Sequence, residues 1–183
     1  MFQLLARAGF YWVTIAVESG VQEIVNKIGK KLDLTKVRGT IEMANKAGMR
    51  VTLYFMIGHP FDTVKTMQQT IDFAKSLRIA QVFFFMTLPF PGTELFEMVK
   101  QKGRFLVDPV FGYSFYDQGK AVYEIGDLKA RDMERMFKRA YRQFYFRPTQ
   151  ILRTVKAQAP SSPKAILRML FYGWKLLIKG RRV

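Results

Sequence analysis

A parallel α/β fold followed by a helical extension is the architecture this 183-residue sequence predicts, on three observations. Three β-rich runs, at about Val13 to Val17, Val51 to Ile57 and Val82 to Leu88, are apolar at successive positions. Continuous apolar strands imply a sheet covered on both faces, and hence a parallel one. The second and third runs end abruptly in Gly/Pro turns that open helices, Ile57-Gly58-His59-Pro60 and Leu88-Pro89-Phe90-Pro91-Gly92. Such strand ends are where parallel α/β proteins place their ligands. Amphipathic helices of the right length lie between the runs, which is the rhythm of repeated right-handed crossovers.

Each element follows from local chemistry. The amino terminus carries Arg7 and runs into the first strand, with no small-residue cleavage site of a secretory signal, so a cytoplasmic setting is expected. That strand closes on Glu18-Ser19-Gly20. Thr35 is placed to cap a helix whose Val37, Ile41 and Ala44 share a face, and Gly48 ends it as a left-handed cap. Asp62 or Thr63 caps the next helix, with Val64, Met67, Ile71 and Ala74 turned inward. A further helix runs from Thr93 to Gly103. Residues 104–126 form an aromatic and glycine-rich irregular segment, expected over the sheet's ligand end or its outer face. Asp127 then caps a long helix carrying Met133, Met136, Phe137, Ala140, Tyr141 and Phe144, stopped by Pro148. A Pro/Ser hinge at 159–163 introduces the last helix. The chain thus divides into an α/β part, 1–103, the segment 104–126, and a basic helical extension, 127–183.

Composition narrows the chemistry. Hydrophobic residues at 49% with 17 Phe exclude a disordered chain. With no cysteine, these residues can build no disulfide, thiol nucleophile or thiolate-held iron–sulfur cluster. His59 is the only histidine, which argues against a zinc site or a Ser-His pair. No catalytic residue and no metal ligand is assigned. The net charge of +16 is uneven: Arg147 to Val183 holds nine Lys/Arg and no Asp or Glu. Such a tail points to an anionic partner. Lys164, Arg168, Lys175 and Lys179 fall on one side of a helix that is otherwise rich in Leu, Ile and aromatics. The four cations argue against a membrane span. They fit a helix in the membrane interface over 163–183, peripheral at the inner face, with a helix packed on the α/β part as the competing reading. Nucleic acid is the rival anion and the less favoured one, because basic and aromatic residues form no known nucleic-acid module here.

The strand ends are the candidate site. Gly58 lets a backbone approach a ligand without side-chain interference, Pro60 fixes the exit, and the helix start beyond offers free N–H groups. That arrangement suits the flat edge of an adenine; a plain strand-to-helix connection is the alternative. Two prolines and Gly92 stiffen the turn after Leu88. Glu18 sets a carboxylate after an apolar run, where a parallel barrel shows polar groups to its ligand. Its alternative role is to complement a helix dipole.

Taken in order, Glu18-Ser19-Gly20, Lys30 or Lys31 with Leu34-Thr35, Ala47-Gly48-Met49-Arg50-Val51, Ile57-Gly58-His59-Pro60-Phe61-Asp62-Thr63 and Pro89-Phe90-Pro91-Gly92-Thr93-Glu94-Leu95 resemble the second half of the radical S-adenosylmethionine barrel. The branch resembled is the one shared by methylthiotransferases and cobalamin-binding members. The match runs from about Leu5 to Gly103, and Phe144-Tyr145-Phe146-Arg147-Pro148 resembles the helix after the barrel in cobalamin-binding members.

The resemblance implies a partial (β/α) barrel whose last three strands are those seen here. In that family a 4Fe-4S cluster, held by Cys-x3-Cys-x2-Cys after the first strand, binds S-adenosylmethionine and cleaves it to a 5′-deoxyadenosyl radical that abstracts a substrate hydrogen. By position, Glu18 and Ser19 would face the ribose or methionine part, Ile57 and Gly58 would meet the adenine through backbone, and Leu88 and Pro89 would flank it. Where the family has Gly-Glu after the turn proline, this chain has Phe61-Asp62. The cluster cysteines and the first strands are absent, so the chain alone should be inactive. Met1 is therefore expected to be an internal methionine of a longer frame, with the amino-terminal half of the barrel as the missing partner. Cobalamin, if used, would be held by a domain outside this chain, and the substrate is expected to be lipid-like or isoprenoid. RNA stays open through the methylthiotransferase relatives that act on transfer RNA. The alternative is a non-catalytic α/β scaffold that docks on membranes through its tail.

Overall fold

The computed structural model describes residues 1–109 and 119–158, with side chains to residue 153. The expected interfacial helix over 163–183 lies outside them. The chain forms two compact units, Met1–Phe144 and Tyr145–Val183. The first begins with a short helix, α1 (Phe2–Arg7), where the sequence reading runs directly into a strand. Then come β1 (Trp12–Glu18), α2 (Gln22–Lys27), α3 (Leu34–Lys46), β2 (Arg50–Ile57), α4 (Val64–Ser76), β3 (Gln81–Met86) and α5 (Glu94–Lys102). A short antiparallel pair, β4 (Gly103–Phe105) with β5 (Tyr123–Ile125), precedes α6 (Ala130–Tyr145). In the second unit α7 (Pro148–Gln158) is the described helix, and Pro148 starts it as a first-turn proline.

The central sheet is parallel in the order β1-β2-β3, so all three carboxyl ends lie on one edge. Its faces differ, contrary to the expectation of a sheet covered on both sides. Val51, Leu53, Phe55 and Ile57 of β2, with Val82, Phe84 and Met86 of β3, are fully buried beneath helices, whereas the alternate Tyr54, Met56, Phe83 and Phe85 stay half-exposed. The open face is lined by aromatic side chains that meet each other: Tyr54 sits edge-on to Phe83 and Phe85, which stack together. The strands read as continuously apolar because this second face carries rings rather than polar groups.

Helix ends correct the sequence reading in detail. Asp33, not Thr35, caps α3, accepting from both the N–H and the hydroxyl of Thr35. Thr63 caps α4 in a reciprocal pair with Thr66. Asp62 is thereby free for another role. Val64 is 38% exposed, and the inward face of α4 is Met67, Thr70, Ile71 and Ala74. Gly48 takes φ +76 after α3, as its left-handed cap requires. The first N–H of α6 donates to Glu124 of β5 rather than to Asp127.

Helix α6 belongs to the same unit as the sheet. Met133, Met136, Ala140 and Phe144 are buried along one face, and the Tyr141 hydroxyl donates to the Phe84 carbonyl and accepts from its N–H. One side chain therefore satisfies both main-chain groups of a residue in the outer strand β3, an edge that would otherwise be open to pairing.

Close packing between the first strand end and α4 yields a stability prediction. A methyl group at Gly20 would stand 2.6 Å from Phe73 Cβ and 2.8 Å from the Thr70 main chain. Gly20→Ala should lower unfolding free energy by about 1–3 kcal/mol through overpacking. The check is the midpoint of urea denaturation at unchanged slope.

Candidate strand-end site

Parallel register gathers the predicted residues on one edge. Glu18 pairs with Phe55, and Ile57 pairs with Met86, so Glu18, the turn after Ile57 and the turn after Met86 succeed each other along the carboxyl ends. The register shifts between Ala16 and Glu18, and Glu18 has φ +70, the one positive φ among the described non-glycine residues. A left-handed conformation costs a non-glycine residue about 1–2 kcal/mol, which other contacts must offset. The contact present is an ion pair, Lys30 Nζ to Glu18 Oε1 at 2.8 Å, with both side chains partly exposed. Of the six predicted site residues, Glu18 alone presents a charged group toward solvent.

Ser19 is buried and engaged elsewhere. Its hydroxyl lies 3.1 Å from Thr70 Oγ1 and accepts from the N–H of Val21, which ties the first strand end to α4. The Gly20 N–H donates to the same Thr70 hydroxyl. Leu88 and Pro89 are buried too, Leu88 within a cluster of Val99, Val122 and Tyr123.

The turn after β2 is the most constrained part of the edge. Gly58 takes φ +86, and the space a Cβ would fill is held by Met133 of α6. The Asp62 carboxylate accepts from the N–H of Gly58 at 3.2 Å and of His59 at 2.9 Å, and from the Thr66 hydroxyl at 2.7 Å. The Gly58 carbonyl accepts from the Tyr123 hydroxyl, the Ile57 carbonyl from the Thr87 N–H, and the His59 carbonyl from the Asp62 N–H. Every main-chain hydrogen-bonding group named here already has an internal partner. What remains for a ligand at this turn is the second lone pair of its carbonyls, together with apolar surface.

His59 and Asp62 bring ionisable groups into the same buried volume. Burial holds the His59 imidazole below its usual pKa, against the attraction of Asp62 and Glu18, while the Glu18 main-chain carbonyl faces the ring. Nε2 of His59 has no hydrogen-bond partner among the described residues. Burial raises the Asp62 carboxyl, opposed by its Thr66 and main-chain donors, and pushes the Tyr123 hydroxyl upward so that it stays protonated and donates. In the sequence His59 stands as the lone histidine of its turn and Tyr123 falls inside the aromatic and glycine-rich segment. The alternation Val122-Tyr123-Glu124-Ile125 before Gly126 was the available sign of a strand.

The chain's own residues do not fit a thiolate-held iron–sulfur cluster, since it contains no cysteine. Among the described residues there is also no group of three His, Asp or Glu side chains able to hold a metal. Among the described residues no helix is long and apolar enough to cross a membrane.

The buried imidazole gives a pH prediction. A histidine whose folded pKa lies below its unfolded value of about 6.5 adds stability that is complete above that value and is lost as pH falls through the folded value. Asp62, with a raised folded pKa, works the opposite way: its contribution is complete below about 3.8 and is lost as pH rises. From pH 6.5 downward the histidine should cost up to about 1.4 kcal/mol per pH unit. His59→Gln should flatten this acid limb relative to the parent when unfolding free energy is measured from pH 7 to 5.

Residues 1–74, which contain Glu18, Gly58 and Asp62, match the model of the Radical SAM superfamily. The chain is 34% identical over 116 residues to cytidylyl-2-hydroxyethylphosphonate methyltransferase of Streptomyces wedmorensis, covering 60% of this chain and 21% of that protein. It is 26% identical over 151 residues to an uncharacterized methyltransferase of Pyrococcus horikoshii, covering 82% and 32%. It is 27% identical over 144 residues to bacteriochlorophyllide d C-12(1)-methyltransferase of Chlorobaculum tepidum, covering 78% and 30%. The chain thus spans between about a fifth and a third of the curated relatives it matches. Over residues 1–74 the chain is thus similar to the radical SAM superfamily, and over longer stretches to proteins named as methyltransferases.

Proposed function

We propose that this chain supplies the strand-end wall of a radical SAM methyltransferase, the part that receives the nucleoside and methionine portions of S-adenosylmethionine. The observation that carries the reading is the parallel order β1-β2-β3, which sets Glu18, the Gly58 turn and the Leu88-Pro89 turn side by side on one edge. Three similar proteins are named as methyltransferases, which favours methyl transfer as the outcome.

In this reading Glu18 offers its carboxylate to a ribose hydroxyl or to the ligand's ammonium, with Lys30 holding it in place. The main chain at Ile57 and Gly58 meets the adenine, and the Leu88-Pro89 turn flanks it. Because the Gly58 and His59 N–H groups are engaged by Asp62, the turn is suited to accept from the adenine amino group rather than to donate to a ring nitrogen. The open aromatic face of Tyr54, Phe83 and Phe85 would be the inner wall of a partial barrel. The cluster that starts radical chemistry would be held by cysteines outside this chain. Assignment to the cobalamin-binding branch is supported by the Phe144 to Pro148 element, with that cofactor also held elsewhere.

The test is anaerobic S-adenosylmethionine cleavage by a polypeptide joining this chain to a segment with the three-cysteine motif. Formation of 5′-deoxyadenosine or methylated product should fall at least about tenfold in Glu18→Ala, mainly through KM, as expected for a lost ligand contact. Cleavage indifferent to Glu18, or no binding of S-adenosylmethionine at all, would overturn the assignment.

A further inference from the structure

We infer that Tyr123 is a positioning residue for the nucleoside site, reaching from the antiparallel β4–β5 pair to fix two of the three strand-end turns at once. This rests on the reading of the edge as an S-adenosylmethionine site. Its physical basis is independent of that reading.

Tyr123 is fully buried, and its hydroxyl donates to the Gly58 carbonyl at 2.5 Å. A carbonyl oxygen only accepts, so the hydroxyl is the donor. The ring packs in the cluster that contains Leu88, against Leu95, Phe105 and Ile125. A single side chain therefore grips the turn after β2 by a hydrogen bond and the turn after β3 by packing.

The left-handed Gly58 makes the grip necessary. Glycine visits both signs of φ with little preference, so its peptide can rotate unless both ends are held. In the peptide between Gly58 and His59, Asp62 holds the His59 N–H and Tyr123 the Gly58 carbonyl. With the Tyr123 hydroxyl removed, the carbonyl is buried with one donor fewer and the peptide has one anchor instead of two. The carbonyl's second lone pair then loses its fixed direction, and in the proposed site binding loses the benefit of a preorganised acceptor.

Tyr123→Phe keeps the ring and its packing and deletes only the donor. In the whole chain, hydrogen–deuterium exchange at the Gly58 and His59 amides should accelerate by about tenfold, while the amides of β2 upstream of Phe55 keep their protection. Unchanged exchange at this turn, or equal acceleration through all of β2, would overturn the proposal, since the second result marks general destabilisation. A parallel arm measures S-adenosylmethionine binding to the parent and the variant. Affinity weakened about tenfold with kcat nearly constant, in the cluster-bearing polypeptide, is the expected split. Absence of binding by the parent would sink the functional reading, and the exchange arm would still decide the role of Tyr123.

Discussion

The peptide that follows the left-handed Gly58, clamped between the Asp62 carboxylate at the His59 N–H and the Tyr123 hydroxyl at the Gly58 carbonyl, is the constraint on which the organisation of this molecule turns. A parallel strand buried on its helix-facing side must leave the sheet abruptly to begin the next crossover, and here it leaves through a residue that only glycine occupies without strain. The same substitution-free space is closed from the other side by Met133, so α6 docks on the turn as well as on the outer strand. Sheet, crossover helix, antiparallel pair and long helix all converge on two peptide groups.

That convergence explains the electrostatics. Asp62 is freed from helix capping by the Thr63–Thr66 pair and instead satisfies the N–H groups of the turn. Its charge in turn bears on His59 and Tyr123, and burial moves all three toward their neutral forms. Glu18 is the contrasting carboxylate. It is partly exposed, held by Lys30, and left-handed in its backbone.

Much of this was legible in the sequence, and the rest was hidden for definable reasons. The three strands and the helices between them follow from apolar runs and from caps such as Gly48 and Thr93, which are local signals. The half-open sheet face was not legible, because Tyr54, Phe83 and Phe85 count as apolar whichever way they point. Asp33 rather than Thr35 at the start of α3 is a shift of two residues, within the ambiguity of adjacent capping side chains. The candidate edge was found at Glu18, Gly58 and Leu88 through glycine and proline turns. The inward engagement of Ser19 with Thr70, and the reach of Tyr123 to Gly58, are tertiary facts without local sequence signature.

The most direct test of the account is a map of amide chemical-shift changes on titrating the chain with S-adenosylhomocysteine, which shares the nucleoside and amino-acid parts of the ligand. Shifts should concentrate at Glu18 to Gly20, at Ile57 to His59, and at Thr87, Leu88 and Phe90, on the carboxyl edge of the sheet. Shifts gathered instead at Trp12, Arg50 and Gln81, on the amino edge, would contradict it.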